Sequence, residues 1–102
     1  MDTVRVVKQF LRAQNLEQLG RVDEATELYE QAIGAGFDST GPYDRLIALY
    51  SDQALHADVV RVADLALEHV KTHGDKREWY GRMRREAQKA AAKVPPAAKK
   101  RS

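Results

Sequence analysis

The feature that most restricts the fold is an internal repeat at a spacing of about 34 residues. When the chain is shifted by this distance, small residues meet small ones and large apolar positions mostly agree. The pairs are Leu16 with Tyr50, Gly20 with Ala54, Ala25 with Val59, Ala32 with Ala66 and Ile33 with Leu67, whereas Val22 meets His56. A unit of this size buries its apolar side only against a neighbouring copy. The repeat therefore predicts stacked copies of one supersecondary unit.

Apolar residues recur at helical spacing between the glycine and proline breaks, and no segment alternates with the period of a strand. The pattern predicts five helices, at about residues 3–19, 22–34, 42–53, 56–72 and 76–93. We therefore expect an all-α fold of antiparallel helix hairpins, a short α-solenoid of about five helices.

Residues at the predicted helix ends are typical of caps. Pro42 suits the first position of the third helix, where a missing N–H costs no hydrogen bond. Asp75 and Glu78 have the spacing of a capping box, with Asp75 before the fifth helix. Gly74 is expected to close the fourth helix in a left-handed conformation.

The formal net charge of +2 is unevenly distributed. Residues 1–70 carry a net charge of −6 and residues 71–102 a net charge of +8. This asymmetry indicates two different binding surfaces or an attraction between copies. Residues 94–102 are mainly Ala, Pro, Lys and Arg and predict a basic disordered tail after a single domain at residues 1–93.

Several kinds of site lack the residues that they need. The absence of cysteine excludes disulfides and thiol nucleophiles. The glycine spacing of residues 36–41 is that of a phosphate loop, but Pro42 stands where the lysine is required. We interpret this segment as a turn between repeats, in which Ser39 or Thr40 caps the next helix.

No metal site, cofactor site or enzymatic activity is predicted. His69 and His73 lie one helical turn apart without an evident third ligand, and both are better placed to interact with helix carbonyls. No zinc-protease or nucleophile-elbow motif occurs. No apolar run is long enough to span a membrane, and the first ten residues do not have the pattern of a secretion signal. A cytoplasmic location is therefore expected.

The two copies share a recognisable pattern. The first copy reads AQNLEQLGRVDEATELYEQAI at residues 13–33. The matching residues of the second copy are Tyr43, Leu46, Tyr50, Ala66 and Leu67. This pattern resembles the tetratricopeptide repeat family over about residues 6–72, although Gln9 and Arg12 stand where the family has an aromatic residue and leucine. The resemblance implies two repeats and a capping helix, at about residues 6–38, 40–72 and 76–93.

The fifth predicted helix has an apolar stripe beside a basic one. The apolar stripe consists of Trp79, Met83, Ala87, Ala90 and Val94, and the basic residues beside it are Arg82, Arg85, Lys89 and Lys93. We expect the apolar stripe to cover the open end of the second repeat. On this helix, Trp79 is expected in the core, while Tyr80 at the edge of the stripe suits either the core or a partner.

The leading hypothesis is a non-enzymatic adaptor for protein–protein interaction. Members of the family mostly bind peptides or protein elements in a concave groove. Carried over position by position, the groove residues are Val7, Phe10, Gln14, Glu17, Gln18, Asp44, Ala48, Ser51, Asp52, Tyr80 and Arg84. The resemblance therefore implies a partly apolar, mostly acidic groove that takes a basic or amphipathic segment of another protein.

Two alternatives stay open. The first is non-specific association with nucleic acid through basic residues. These residues are Arg82, Arg85, Lys89, Lys93, Lys99, Lys100 and Arg101. The second is a self-assembling homo-oligomer, such as a homodimer, in which the basic fifth helix of one copy meets the acidic repeats of another.

Overall fold

Five α-helices form the part of the chain that the computed structural model describes, residues 3–70 and 74–93. They are α1 (Thr3–Gln18), α2 (Val22–Gly34), α3 (Thr40–Asp52), α4 (His56–His69) and α5 (Gly74–Lys93). Helices adjacent in the chain pack against each other, and no strand occurs within those ranges. The predicted all-α fold of five helices is confirmed. The predicted tail at residues 94–102 lies outside the described residues.

The beginning of α3 differs slightly from the prediction. The helix begins at Thr40, so Pro42 is its third residue and not its first. Proline is still tolerated there, because the N–H groups of the first turn have no partner within the helix. Ser39 occupies the N-cap position with an extended backbone, φ −134° and ψ 148°, but its side chain makes no capping hydrogen bond.

The predicted end of α4 is wrong. The helix ends at His69, and Val70 is extended, with φ −95° and ψ 98°. Gly74 is the first residue of α5 and does not close α4, so Asp75 lies within the first turn of α5. The carbonyls of Leu67 and Val70 instead accept hydrogen bonds from Nη1 of Arg77, at 2.6 and 2.9 Å. The Arg77 side chain of α5 thus binds carbonyls at the end of α4, where the sequence predicted that a glycine closes the helix.

The turn between α1 and α2 recurs between α3 and α4. Gly20 has φ 81° and Ala54 has φ 58°, and Ala54 is the only non-glycine residue with a positive φ in the described ranges. The amides of Arg21 and Leu55 each donate at 2.9 Å to a carbonyl five residues earlier. This is the hydrogen-bond pattern of a left-handed helix end. The spacing read from the sequence therefore corresponds to a repeated backbone geometry.

The core combines small residues with aromatic ones. Ala25, Ala32 and Ala66 are completely buried, so the helices approach closely at these positions. Tyr29 and Tyr43 are also completely buried and fill the space between helices. Burial of such aromatic side chains supplies a large share of the hydrophobic stabilisation.

On α5, the two adjacent aromatic residues are buried to different extents. Tyr80 is completely buried, whereas Trp79 is only partly buried and packs against the edge of the core. Met83 and Ala87 of the apolar stripe also contact the core, as predicted. Val94 lies outside the described residues. None of the helices in the described parts of the chain is long and apolar enough to cross a membrane.

Candidate functional site

The first helices of the two hairpins, α1 and α3, are joined by a cluster around one carboxylate. Glu17 accepts hydrogen bonds from the Tyr29 hydroxyl at 2.7 Å and from Nε of Arg45 at 3.1 Å. A second guanidinium nitrogen of Arg45 also contacts the Glu17 carboxylate. The hydrogen bond from Arg45 holds the pKa of Glu17 below its usual value, and burial raises the pKa of Tyr29. The cluster therefore holds a charged pair between α1 and α3.

Beside this cluster lies a shallow cavity of about 270 Å³. Its lining residues are Gln14, Glu17, Gln18, Tyr29 and Arg45. Three of the predicted groove residues, Gln14, Glu17 and Gln18, are thus brought together. Because Glu17 is engaged by Tyr29 and Arg45, the amides of Gln14 and Gln18 are the polar groups best placed to meet a ligand.

A second polar cluster joins α3 to α5. The Asp44 carboxylate accepts a hydrogen bond from the Tyr80 hydroxyl at 2.8 Å and lies 2.9 Å from Nζ of Lys76. The Lys76 ammonium is also 4.0 Å from the centroid of the Trp79 ring. Burial, followed by the hydrogen bond to Asp44, raises the pKa of Tyr80. Tyr80 is thus a core residue, and its prediction as a groove residue is corrected.

Phe10 also has a structural role. Its ring lies 5.9 Å from that of Tyr29 and 6.2 Å from that of Phe37, measured between centroids. The ring packs over the backbone of Gly41, where an added Cβ would lie 2.3 Å from Cζ of Phe10. This close approach of α1 to α3 requires glycine at position 41. Because its ring is half-buried in these contacts, Phe10 is not free to bind a partner.

The other predicted groove residues are divided between the surface and internal contacts. Arg84 turns toward α4, where its Nε lies 2.5 Å from the Asp64 carboxylate. Val7 is 36% exposed, Ala48 is half-buried, and Ser51 and Asp52 are exposed. The predicted groove is therefore less acidic than expected, because the carboxylates of Glu17 and Asp44 are paired with basic side chains of the same molecule.

Arg45 and Tyr29 line the cavity and were not predicted as site residues. Glu17 and Arg45 are 28 positions apart in the chain, a separation at which opposite charges give no recognisable pattern. Tyr29 is a completely buried residue of α2, and its hydroxyl reaches the cavity cluster. The Arg45 contact depends on the way in which the two hairpins stack, and the Tyr29 contact depends on the packing of α2 against α1 within the first hairpin.

The second helices carry an analogous network on Glu30. Its carboxylate lies 3.0 Å from Nη1 of Arg61 and also accepts a hydrogen bond from the Tyr50 hydroxyl. Burial acts to raise the pKa of Glu30, but the hydrogen bonds from Arg61 and Tyr50 lower it overall. Arg61 is in turn 3.1 Å from Asp58. This network joins α2, α3 and α4.

The predicted basic stripe is exposed. Arg82, Arg85, Lys89 and Lys93 all have exposed side chains. Lys99, Lys100 and Arg101 lie outside the described residues, as does His73. Within residues 3–70 and 74–93, no group of three or more His, Asp or Glu side chains is arranged to hold a metal ion.

The chain matches no family model, no curated protein and no solved structure. Any assignment of function therefore rests on the cavity between α1 and α3, the polar clusters that join the helices, and the exposed charges.

Proposed function

We propose that the chain is a non-enzymatic adaptor that binds a segment of another protein on the face formed by α1 and α3. The observation that carries this proposal is the cavity at Gln14, Gln18 and Arg45. The Glu17–Arg45 pair holds the walls of the cavity in place before a ligand arrives. A preformed surface loses less conformational entropy on binding than a flexible one.

The proposal includes assignment of the two hairpins to the tetratricopeptide repeat type. The left-handed turn shared by Gly20 and Ala54 supports it, as do the buried alanines at positions 25, 32 and 66. Stacked hairpins of this type present their first helices along one face, which is the face proposed to bind.

The chemistry of the face favours an amphipathic partner segment over a strongly basic one. Glu17 and Asp44 are engaged by Arg45 and Lys76, so their charges attract a basic ligand only weakly. Gln14 and Gln18 can donate to and accept from the backbone of a bound segment. A cytoplasmic location stays a prediction, which fractionation of cells that produce the full-length protein would test.

Affinity capture with mass spectrometry tests the proposal. The double variant Gln14→Arg/Gln18→Arg places two long side chains over the cavity without removing any contact that supports the fold. The control, Gln88→Arg, makes the same change at an exposed position of α5. We expect the double variant to lose the proteins that wild type and control retain, with circular dichroism unchanged. Capture of the same proteins by the double variant would remove the assignment.

The exposed basic stripe on α5 favours a second candidate function, non-specific binding of nucleic acid. Its cations are spaced at about one helical turn and could neutralise neighbouring phosphates. A gel shift at about 50 mM salt tests this, because electrostatic binding is strongest at low salt. Arg82→Ala/Lys89→Ala should weaken the shift, whereas Arg21→Ala at the N-cap position of α2 should not. No shift for the wild type would exclude this candidate.

A further inference from the structure

The outer face of α1 exposes more large apolar residues than any other described helix. Val4 is 63% exposed, Leu11 is 55% exposed and Val7 is 36% exposed. Their spacing places them on one side of the helix, along about two turns. Such exposure on one short stretch indicates a surface that another element covers.

Basic side chains border this apolar strip. Residues 3–16 contain three basic residues and no acidic one. Lys8 and Arg12 are both exposed, and a shallow cavity of about 330 Å³ lies on this face. The lining residues of the cavity are Val4, Arg5, Lys8, Gln9 and Arg12. The face therefore combines apolar contact area with positive charge.

The equivalent face of α3 shows what kind of element fits. Pro42, Leu46 and Leu49 occupy the positions that match Lys8, Arg12 and Asn15 at the repeat spacing, and all three are buried. α3 packs against α2, a helix that exposes several carboxylates on its free side. In α1 the same face is exposed, and Lys8 and Arg12 stand where α3 has the apolar residues Pro42 and Leu46.

We propose that the outer face of α1, formed by Val4, Lys8, Leu11 and Arg12, docks an amphipathic helix of another protein whose apolar stripe is flanked by acidic residues. Val4 and Leu11 bury the apolar stripe. Lys8 and Arg12 pair with the flanking carboxylates, which are charge-assisted contacts.

Charge complementarity favours this occupant over two others, the α1 helix of a second copy and residues 94–102 of this chain. Two copies meeting through α1 would set Lys8 and Arg12 against their counterparts, a repulsive arrangement. Residues 94–102 carry only basic charges and would be repelled as well. The cavity on this face shares no lining residue with the cavity at Gln14 and Gln18, so the inference does not rest on the adaptor proposal.

Fluorescence anisotropy with a labelled model helix tests the inference. The probe is a synthetic amphipathic helix with leucine along one side and glutamate at the flanking positions. Matched probes carry glutamine or lysine in place of glutamate. The protein variants are Lys8→Glu/Arg12→Glu and, as a control with the same change of charge, Arg82→Glu/Arg85→Glu.

We expect the glutamate probe to bind wild type and control alike, and to bind Lys8→Glu/Arg12→Glu at least about tenfold more weakly. Leu11→Ser should also weaken binding, and Gln88→Arg on α5 should not. Equal binding of the three probes, or equal binding by the two charge variants, would overturn the inference. So would a wild-type dimer that Lys8→Glu/Arg12→Glu dissociates, or binding of phosphatidylserine vesicles through the same residues.

Discussion

α1 and α3 occupy equivalent positions in the two hairpins, yet they differ on one face. Both end in the same left-handed turn, and both bury the residues that face their own second helix. The two helices differ on the face that carries Lys8 in α1 and Pro42 in α3. There α1 has Lys8, Arg12 and Asn15, whereas α3 has Pro42, Leu46 and Leu49.

This difference separates an exposed face of α1 from the packed face of α3. Neither the helix nor the turn distinguishes the first copy from the second, because both recur. The distinction lies in a few side chains on a single face, which include cations in α1 and are apolar and buried in α3. On α1 this face also exposes Val4 and Leu11, and it is the face proposed to dock a partner helix.

The largest expected effect concerns the tyrosines, since α3 has Tyr43 and Tyr50 where α1 has Gln9 and Leu16. Burial raises the pKa of Tyr43 from 10.0 to about 12, and it raises the pKa values of the other tyrosines as well. Between pH 10 and 12 the unfolded chain ionises its tyrosines and the folded chain does not, so stability is lost as the pH rises above 10.

We therefore expect helix loss and tyrosinate absorbance to appear together in an alkaline titration, above the pH at which free tyrosine ionises. Tyr43→Phe removes one of the four titrating groups and should make the loss of stability with pH less steep. Full tyrosine ionisation near pH 10 with intact helices would contradict the buried arrangement.

The next effect compares equivalent positions on the differing face. Leu46 is completely buried, and Leu46→Ala should lower the free energy of unfolding by about 2–5 kcal/mol because it leaves a cavity. Arg12 is exposed, and Arg12→Ala should change it by less than about 0.5 kcal/mol. Urea unfolding monitored by circular dichroism measures both, and similar losses would show that the two faces are equally packed.

The contact between α1 and α3 can be broken at Gly41. A Cβ there would collide with the Phe10 ring, so Gly41→Ala should cost about 1–3 kcal/mol. Gly81→Ala is the matched control, because its nearest neighbour is 3.5 Å away, and it should stabilise α5 by up to about 1 kcal/mol. In a Phe10→Ala background the cost of Gly41→Ala should disappear. An unchanged cost in that background would refute the close approach.

The smallest effect tests the equivalence of the two turns. Both Gly20 and Ala54 have positive φ, a conformation that costs a residue with a Cβ about 1–2 kcal/mol. Gly20→Ala should therefore destabilise the protein by about 1 kcal/mol, and Ala54→Gly should stabilise it by about 0.5 kcal/mol. Thermal unfolding at constant pH distinguishes the two directions. Effects of the same sign would mean that the turns are not equivalent.

Much of the fold could be predicted because its signals are local. Helical periodicity located all five helices, and the repeat spacing anticipated the shared turn at Gly20 and Ala54. The deeper burial of Tyr80 than of Trp79 could not be predicted, because a helical stripe does not show on which of its sides the neighbouring helix packs. The end of α4 was misplaced for a similar reason, since its carbonyls are bound by Arg77 from the next helix.

The candidate site was only partly predictable. Gln14, Glu17 and Gln18 were expected on one face because the resemblance to the tetratricopeptide repeat family implies it, and they do line one cavity. The electrostatic character of that face could not be predicted, because it depends on Arg45 and Lys76. These residues approach Glu17 and Asp44 only when the helices have packed together. A carboxylate counted as a binding group in the sequence is thus an internal contact in the structure.

The sequence by itself determined the number of helices, the approximate residues at which they begin and the recurrence of one turn. These properties follow from backbone preferences and apolar spacing among residues that are near one another in the chain. Only the tertiary structure decided which charges are paired and which stay at the surface. Pairing depends on distances between atoms far apart in the chain, and those distances exist only after the helices have packed.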